Sequence, residues 1–86
     1  MMRRIILKIY DYKGCKNISG QQIRKARVLK NLTQSDLAAQ LQISGVTIER
    51  DSISRMENGT RFVTDYELMI LSQILNVSVD WLLSKE

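Results

Sequence analysis

The sequence predicts an all-α domain of five short helices, and three observations carry that expectation. Cap residues and left-handed stop residues alternate along the chain from Ser19 onward. Apolar residues recur at helical spacing between them, and proline is absent from all 86 residues.

The first helix is expected to open at Ser19-Gly20-Gln21-Gln22, a capping-box pattern. There the Ser hydroxyl and the Gln amide would satisfy backbone N–H groups that lack helical partners. Ile23, Arg27 and Lys30 follow at helical spacing, and Asn31 suits a left-handed stop. Thr33 caps a second helix, expected from Gln34 to about Gln42, with Leu37, Ala38 and Leu41 turned inward. A third helix runs from about Arg50 to Gly59, which has no Cβ to oppose a left-handed end. Thr64-Asp65-Tyr66-Glu67 is another capping box, followed by the apolar stripe Leu68, Leu71, Ile74 and Leu75. Asn76 stops that helix, and Ser78 caps a last short one. Trp81, Leu82 and Leu83 are expected to close the core, with Met56 and Met69 as filling.

Residues 1–17 break the pattern. Ile5, Ile6, Leu7, Ile9, Tyr10 and Tyr12 are β-branched, aliphatic or aromatic and favour an extended strand. One strand is not stable alone. It can pair with its copy in a second chain, pack on the helices, or form a loose tail, and the residues do not choose among these. The expected organisation is therefore an N-terminal extension over 1–17, a strand or dimerisation arm, followed by a helical domain over 18–86.

Composition narrows the function. With 44% hydrophobic and 26% charged residues the chain matches one small globular domain. No apolar run reaches bilayer length, so no membrane partner is expected. The basic start Met1-Met2-Arg3-Arg4 is not followed by a signal-peptide cleavage pattern. A single cysteine, Cys15, points to a reducing cytoplasm. Residues 1–31 hold nine Lys and Arg against one Asp, a net +8, whereas residues 32–86 hold four against eight, a net −4. Such a basic segment is either an electrostatic footprint for phosphates or a solvated face. The chain has no histidine, no cysteine pair, no glycine-rich phosphate loop and no nucleophile elbow. Catalysis, a metal, a cofactor and a small-molecule ligand are accordingly not expected.

Leu32-Thr33-Gln34 begins one helix, and Ile53-Ser54-Arg55-Met56-Glu57-Asn58-Gly59 ends the next. Two short helices joined this way can form a helix-turn-helix, whose second helix enters the major groove of DNA. Together with Ile23-Arg24, Arg27, Leu37-Ala38, Leu41 and Val77-Ser78-Val79-Asp80-Trp81-Leu82-Leu83, these residues resemble the phage-repressor and Cro-like helix-turn-helix family, the Xre family. The resemblance spans Ile18 to Leu83 and departs in one place. Ile43 to Ile48 holds about five residues more than the family's turn, with Gly45 able to bend the backbone and Val46 and Ile48 able to return to the core.

The resemblance implies a five-helix, repressor-like DNA-binding domain. It assigns base contacts to Arg50, Asp51 and Arg55, with Ser52 near a base or phosphate. Arg suits guanine and Asp suits cytosine N4, although Asp51 reads equally well as a helix cap. It assigns phosphate contacts to Gln34, Asn58, Thr60 and Arg61, and a structural salt bridge to Arg27 and Glu57. It implies a homodimer on double-stranded DNA, acting as a transcriptional regulator, with repression favoured. A rival is an antitoxin-like protein-interaction module with secondary DNA binding, which the apolar N-terminus also suits. RNA binding is a further rival, with only Phe62 and Tyr66 near the basic loop to stack bases.

Overall fold

The computed structural model describes residues 12–84, which form five helices: α1 (Gly20–Leu29), α2 (Gln34–Ile43), α3 (Arg50–Asn58), α4 (Asp65–Leu75) and α5 (Val79–Leu82). Of the strand expected over Ile5 to Tyr12, all but Tyr12 lies outside the described residues. Among those described, β pairing is limited to one antiparallel bridge between Tyr12 and Cys15.

Local chemistry explains most helix boundaries. Thr33 and Thr64 each close a capping box: Thr33 Oγ1 accepts from the Asp36 N–H at 3.0 Å, and Thr64 Oγ1 from the Glu67 N–H at 3.3 Å. Asp36 and Glu67 reciprocate by accepting from the backbone N–H of Thr33 and Thr64. Asn31 and Asn76 adopt left-handed φ values of 59° and 57°, and the Ser78 hydroxyl accepts from the Trp81 N–H at 2.9 Å.

The start of α1 departs from the expected capping box. Ser19 sits in the right-handed region and makes no side-chain cap, while Asn17 Oδ1 accepts the Gly20 N–H at 2.8 Å. Gln22 is buried, and its amide nitrogen donates across the molecule to Trp81 O and Ser84 Oγ, both at 3.1 Å. A side chain facing α5 cannot also reach back to the cap.

The core gathers Ile23 from α1, Leu37 and Leu41 from α2, Ile53 and Met56 from α3, Leu71 from α4 and Leu82 from α5, all fully buried. Each is worth about 1.5–3 kcal/mol relative to exposure. α3 packs on both α1 and α2, and α4 touches α1, α2 and α5. Two expected core residues face solvent instead: Met69 is 49% exposed and Leu83 42%. Met69 lies on the outer side of α4 and Leu83 at the end of α5, while Leu71 and Leu82 take the inward positions.

The enlarged turn between α2 and α3 is tied down. Gly45 takes φ 95°, the Val46 N–H donates to Leu41 O at 3.0 Å, and the Gln42 amide donates to Ile48 O. Val46 and Ile48 both join the core, so the added residues extend it.

Gly20 marks the closest approach between α1 and α3. A Cβ there would lie 2.3 Å from Met56 O and 2.9 Å from Glu57 O, both backbone atoms that cannot swing aside. Gly→Ala at an unhindered helical position is stabilising. Here Gly20→Ala is expected to destabilise by about 1–3 kcal/mol through overpacking. A urea titration checks the sign, and a gain in stability would refute the close approach.

Candidate nucleic-acid interface

The sequence of α3 gives it two unlike faces. With about 100° between successive residues, Ile53, Met56 and Glu57 point into the protein and are buried. Asp51, Arg55 and Asn58 form an exposed ridge on the opposite side, flanked by the half-buried Ser52 and Ser54. Arg50 is also exposed, in the first turn. It stands three residues before Ile53, so it leaves from the edge of the packed side rather than from the ridge. Asp51 makes no cap: α3 begins at Glu49 with no side-chain hydrogen bond to its first turn. At the far end Gly59 takes φ 79°, and the Thr60 N–H donates to Arg55 O at 2.9 Å.

A buried ion pair holds this ridge in position. Arg27 Nε lies 2.6 Å from Glu57 Oε2, and Arg27 Nη2 donates to Glu57 Oε1 at 3.1 Å. Arg27 Nη1 donates to Leu32 O at 2.8 Å, and Gln34 Nε2 donates to Glu57 Oε1 at 3.1 Å. One network thus joins α1, the α1–α2 turn, the first turn of α2, and α3. Gln34 was expected on a phosphate, yet its amide nitrogen is held by Glu57. The N–H groups of Gln34 and Ser35 make no hydrogen bond among the described residues. The Asp36 carboxylate sits in the same turn, held below its ordinary range by the Thr33 N–H and then the Thr33 hydroxyl.

The loop after α3 carries Thr60 and Arg61. Thr60 is exposed, its hydroxyl turned to Arg55 O. Arg61 makes a two-pronged pair with the buried Glu67, Nη1 to Oε1 and Nη2 to Oε2, both at 3.1 Å, and Nη1 also reaches Phe62 O. Burial pushes the Glu67 carboxyl upward, but the Arg61 hydrogen bonds and charge and the Thr64 N–H outweigh it, so the net shift is downward. Arg61 therefore keeps two of its five N–H groups, Nε–H and one on Nη2, beyond these bonds.

The arrangement can present a thin polar ridge to a groove and backbone donors to anions. It offers no metal cluster among the described residues, and no described helix is long and apolar enough to cross a membrane.

Comparison with known proteins agrees with this architecture. A family profile described as Helix-turn-helix matches residues 23–82, from the middle of α1 to the end of α5. The chain belongs to that helix-turn-helix family, whose Xre-like members it resembles in sequence. It is also 36% identical over 66 residues to a protein of Enterococcus faecalis named HTH-type transcriptional activator BcrR. The match covers 77% of this chain but only 30% of that relative's length.

Two outcomes follow from the ion pairs. Glu57→Gln leaves Arg27 buried beside a neutral partner and should cost about 3–5 kcal/mol, whereas an apolar pair, Arg27→Met with Glu57→Leu, should recover most of it. Denaturant midpoints of the three proteins decide this, and a silent Glu57→Gln would remove the pair from its structural role. For Glu67 the folded carboxyl is lowered from its ordinary value near 4.5. Its stabilising contribution is therefore complete above that value and is lost as pH falls through the folded one. The stability curves of wild type and Glu67→Gln should differ at pH 6 and converge in acid. Parallel curves would contradict the assignment.

Proposed function

We propose that this protein binds double-stranded DNA sequence-specifically and regulates transcription, with α3 lying in the major groove. The observation that carries the reading is the two-sidedness of α3: Ile53, Met56 and Glu57 lock one side into the fold, and Asp51, Arg55 and Asn58 stand out on the other. Arg55 and Arg50 suit the O6 and N7 acceptors of guanine, and Asp51 suits the cytosine N4 donor, each good pair worth about 1–3 kcal/mol of discrimination. Ser52 lies at the flank, within reach of a base edge or phosphate. The free N–H groups opening α2 beside Gln34, the Asn58 amide, Thr60 and the remaining N–H groups of Arg61 serve as backbone contacts, which set register.

Helix-turn-helix membership supports DNA as the partner, and the name of the Enterococcus faecalis relative supports transcription as the process. We read the action as repression, since occupying an operator requires binding alone. The activation in the relative's name belongs to a protein matched over 30% of its length. A homodimer reads two half-sites about 34 Å apart, or a multiple of that, because two linked modules bind far more tightly than one. The unpaired Cys15 fits a cytoplasmic setting.

Selection of bound sequences from a random duplex pool tests the reading and should enrich a motif with two-fold symmetry. On that motif Arg55→Ala should lose specific binding far more than non-specific binding. Equal losses on both kinds of duplex would count against base readout, and a pool without enrichment would favour a protein-interaction role.

A further inference from the structure

We propose that the turn over residues 12–17 is a second phosphate clamp: Lys13 and Lys16 contact the backbone of the duplex that α3 engages, beside the C-terminal end of that helix. The inference rests on the DNA-binding reading above and extends it to a segment that lies before the helix-turn-helix profile, which begins at residue 23.

The turn is built, and it is built against α3. Lys13 and Gly14 both take positive φ, 53° and 82°, the pattern of a two-residue hairpin turn. Tyr12 and Cys15 exchange backbone hydrogen bonds of 2.8 and 2.9 Å across it. The Lys16 N–H then donates to Gly59 O at 2.8 Å. Asn17 Nδ2 donates to Met56 O at 3.0 Å and to Arg61 O at 2.7 Å. Three hydrogen bonds thus fasten the turn to Met56 O near the end of α3 and to Gly59 O and Arg61 O in the loop that follows. The Lys16 ammonium lies 5.3 Å from the centre of the Phe62 ring in that same loop. Lys13 and Asn58 line one cleft, so a strand laid against Asn58 also meets Lys13.

Charge supplies the second argument. On the face from α2 to Phe62, Arg50 and Arg55 of α3 are balanced by Asp51 on that helix and Glu49 at its N-cap. Arg61 is neutralised by Glu67, and Asp36 adds a negative charge at the opening of α2. That face therefore carries no surplus of positive charge to meet a phosphate backbone, on which non-specific affinity depends. Lys13 and Lys16 are exposed, and neither is paired with a carboxylate among the described residues. They place free positive charge at the edge of the ridge, where the helix-turn-helix itself has none to spare.

The test compares wild type, Lys13→Gln/Lys16→Gln and Lys13→Arg/Lys16→Arg on a selected duplex and on an unrelated one, over a series of salt concentrations. Both lysines are exposed, so circular dichroism should show the fold unchanged in each variant. With about 0.9 in slope per phosphate contact, the Gln variant should have a log K against log salt slope shallower by about 1.8 on both duplexes. The Arg variant should keep the wild-type slope. An unchanged slope in the Gln variant overturns the clamp, as does a loss confined to the selected duplex, which would indicate base contact. Wild type failing to bind either duplex would overturn the DNA reading itself, a result distinct from any difference among the lysine variants.

Discussion

The Arg27–Glu57 pair is the constraint on which the interface depends. Two charged groups removed from water are expensive, and the attraction between them offsets that cost only when the geometry is good and the remaining donors and acceptors are satisfied. Here the contact is two-pronged, the third Arg27 nitrogen reaches Leu32 O, and Gln34 adds a donor to the carboxylate. Because Glu57 sits on the packed side of α3 and Arg27 on α1, the pair fixes the rotation of α3 about its own axis. A turn of that helix by one residue would bury Arg55 or Asn58 and expose Ile53. The outward position of the ridge is thus a consequence of a buried carboxylate on the other side of the same helix.

The C-terminal end of α3 is a second junction. Its last carbonyls would be without partners in an isolated helix. With Gly59 left-handed, the Gly59 and Thr60 N–H groups reach Met56 O and Arg55 O, the Asn17 amide adds a second donor to Met56 O, and the Lys16 N–H donates to Gly59 O just beyond the helix. Gly20 permits the approach, since any side chain there would meet the backbone of α3. Residues 12–20, the end of α3 and the loop to α4 consequently form one joint. Inserted residues between α2 and α3 leave this joint untouched. A longer loop adds little closure entropy, and burial of Val46 and Ile48 anchors the added length to the core.

Where α1 meets α5, the molecule uses polar groups within the fold. Gln22 is 2% exposed and links α1 to the chain after α5 through Trp81 O and Ser84 Oγ. Glu67 has a similar double use, closing the cap of α4 and receiving Arg61 from the preceding loop. Both began as residues with an ordinary local reading, and both serve longer-range packing.

The number, order and limits of the helices were legible in the chain itself, because caps, stops and apolar stripes depend on residues within about four positions of one another. Thr33, Asn31, Gly59, Thr64, Asn76 and Ser78 each act through a neighbour close in sequence, as does the inward face Leu37, Ala38 and Leu41. Readings that failed involved partners far along the chain. Gln22 was drawn from its cap to Trp81, and Met69 and Leu83 stayed outside a core whose inward places Leu71 and Leu82 take. Tertiary packing also gave two expected phosphate contacts a partner within the fold, the Gln34 amide donating to Glu57 and Arg61 pairing with Glu67, which spacing alone did not show. Which donor wins a buried acceptor depends on how several helices meet, and that meeting is decided by packing in three dimensions. Local spacing sets what each segment can be; only the assembled core decides which of its polar groups remain free to face a ligand.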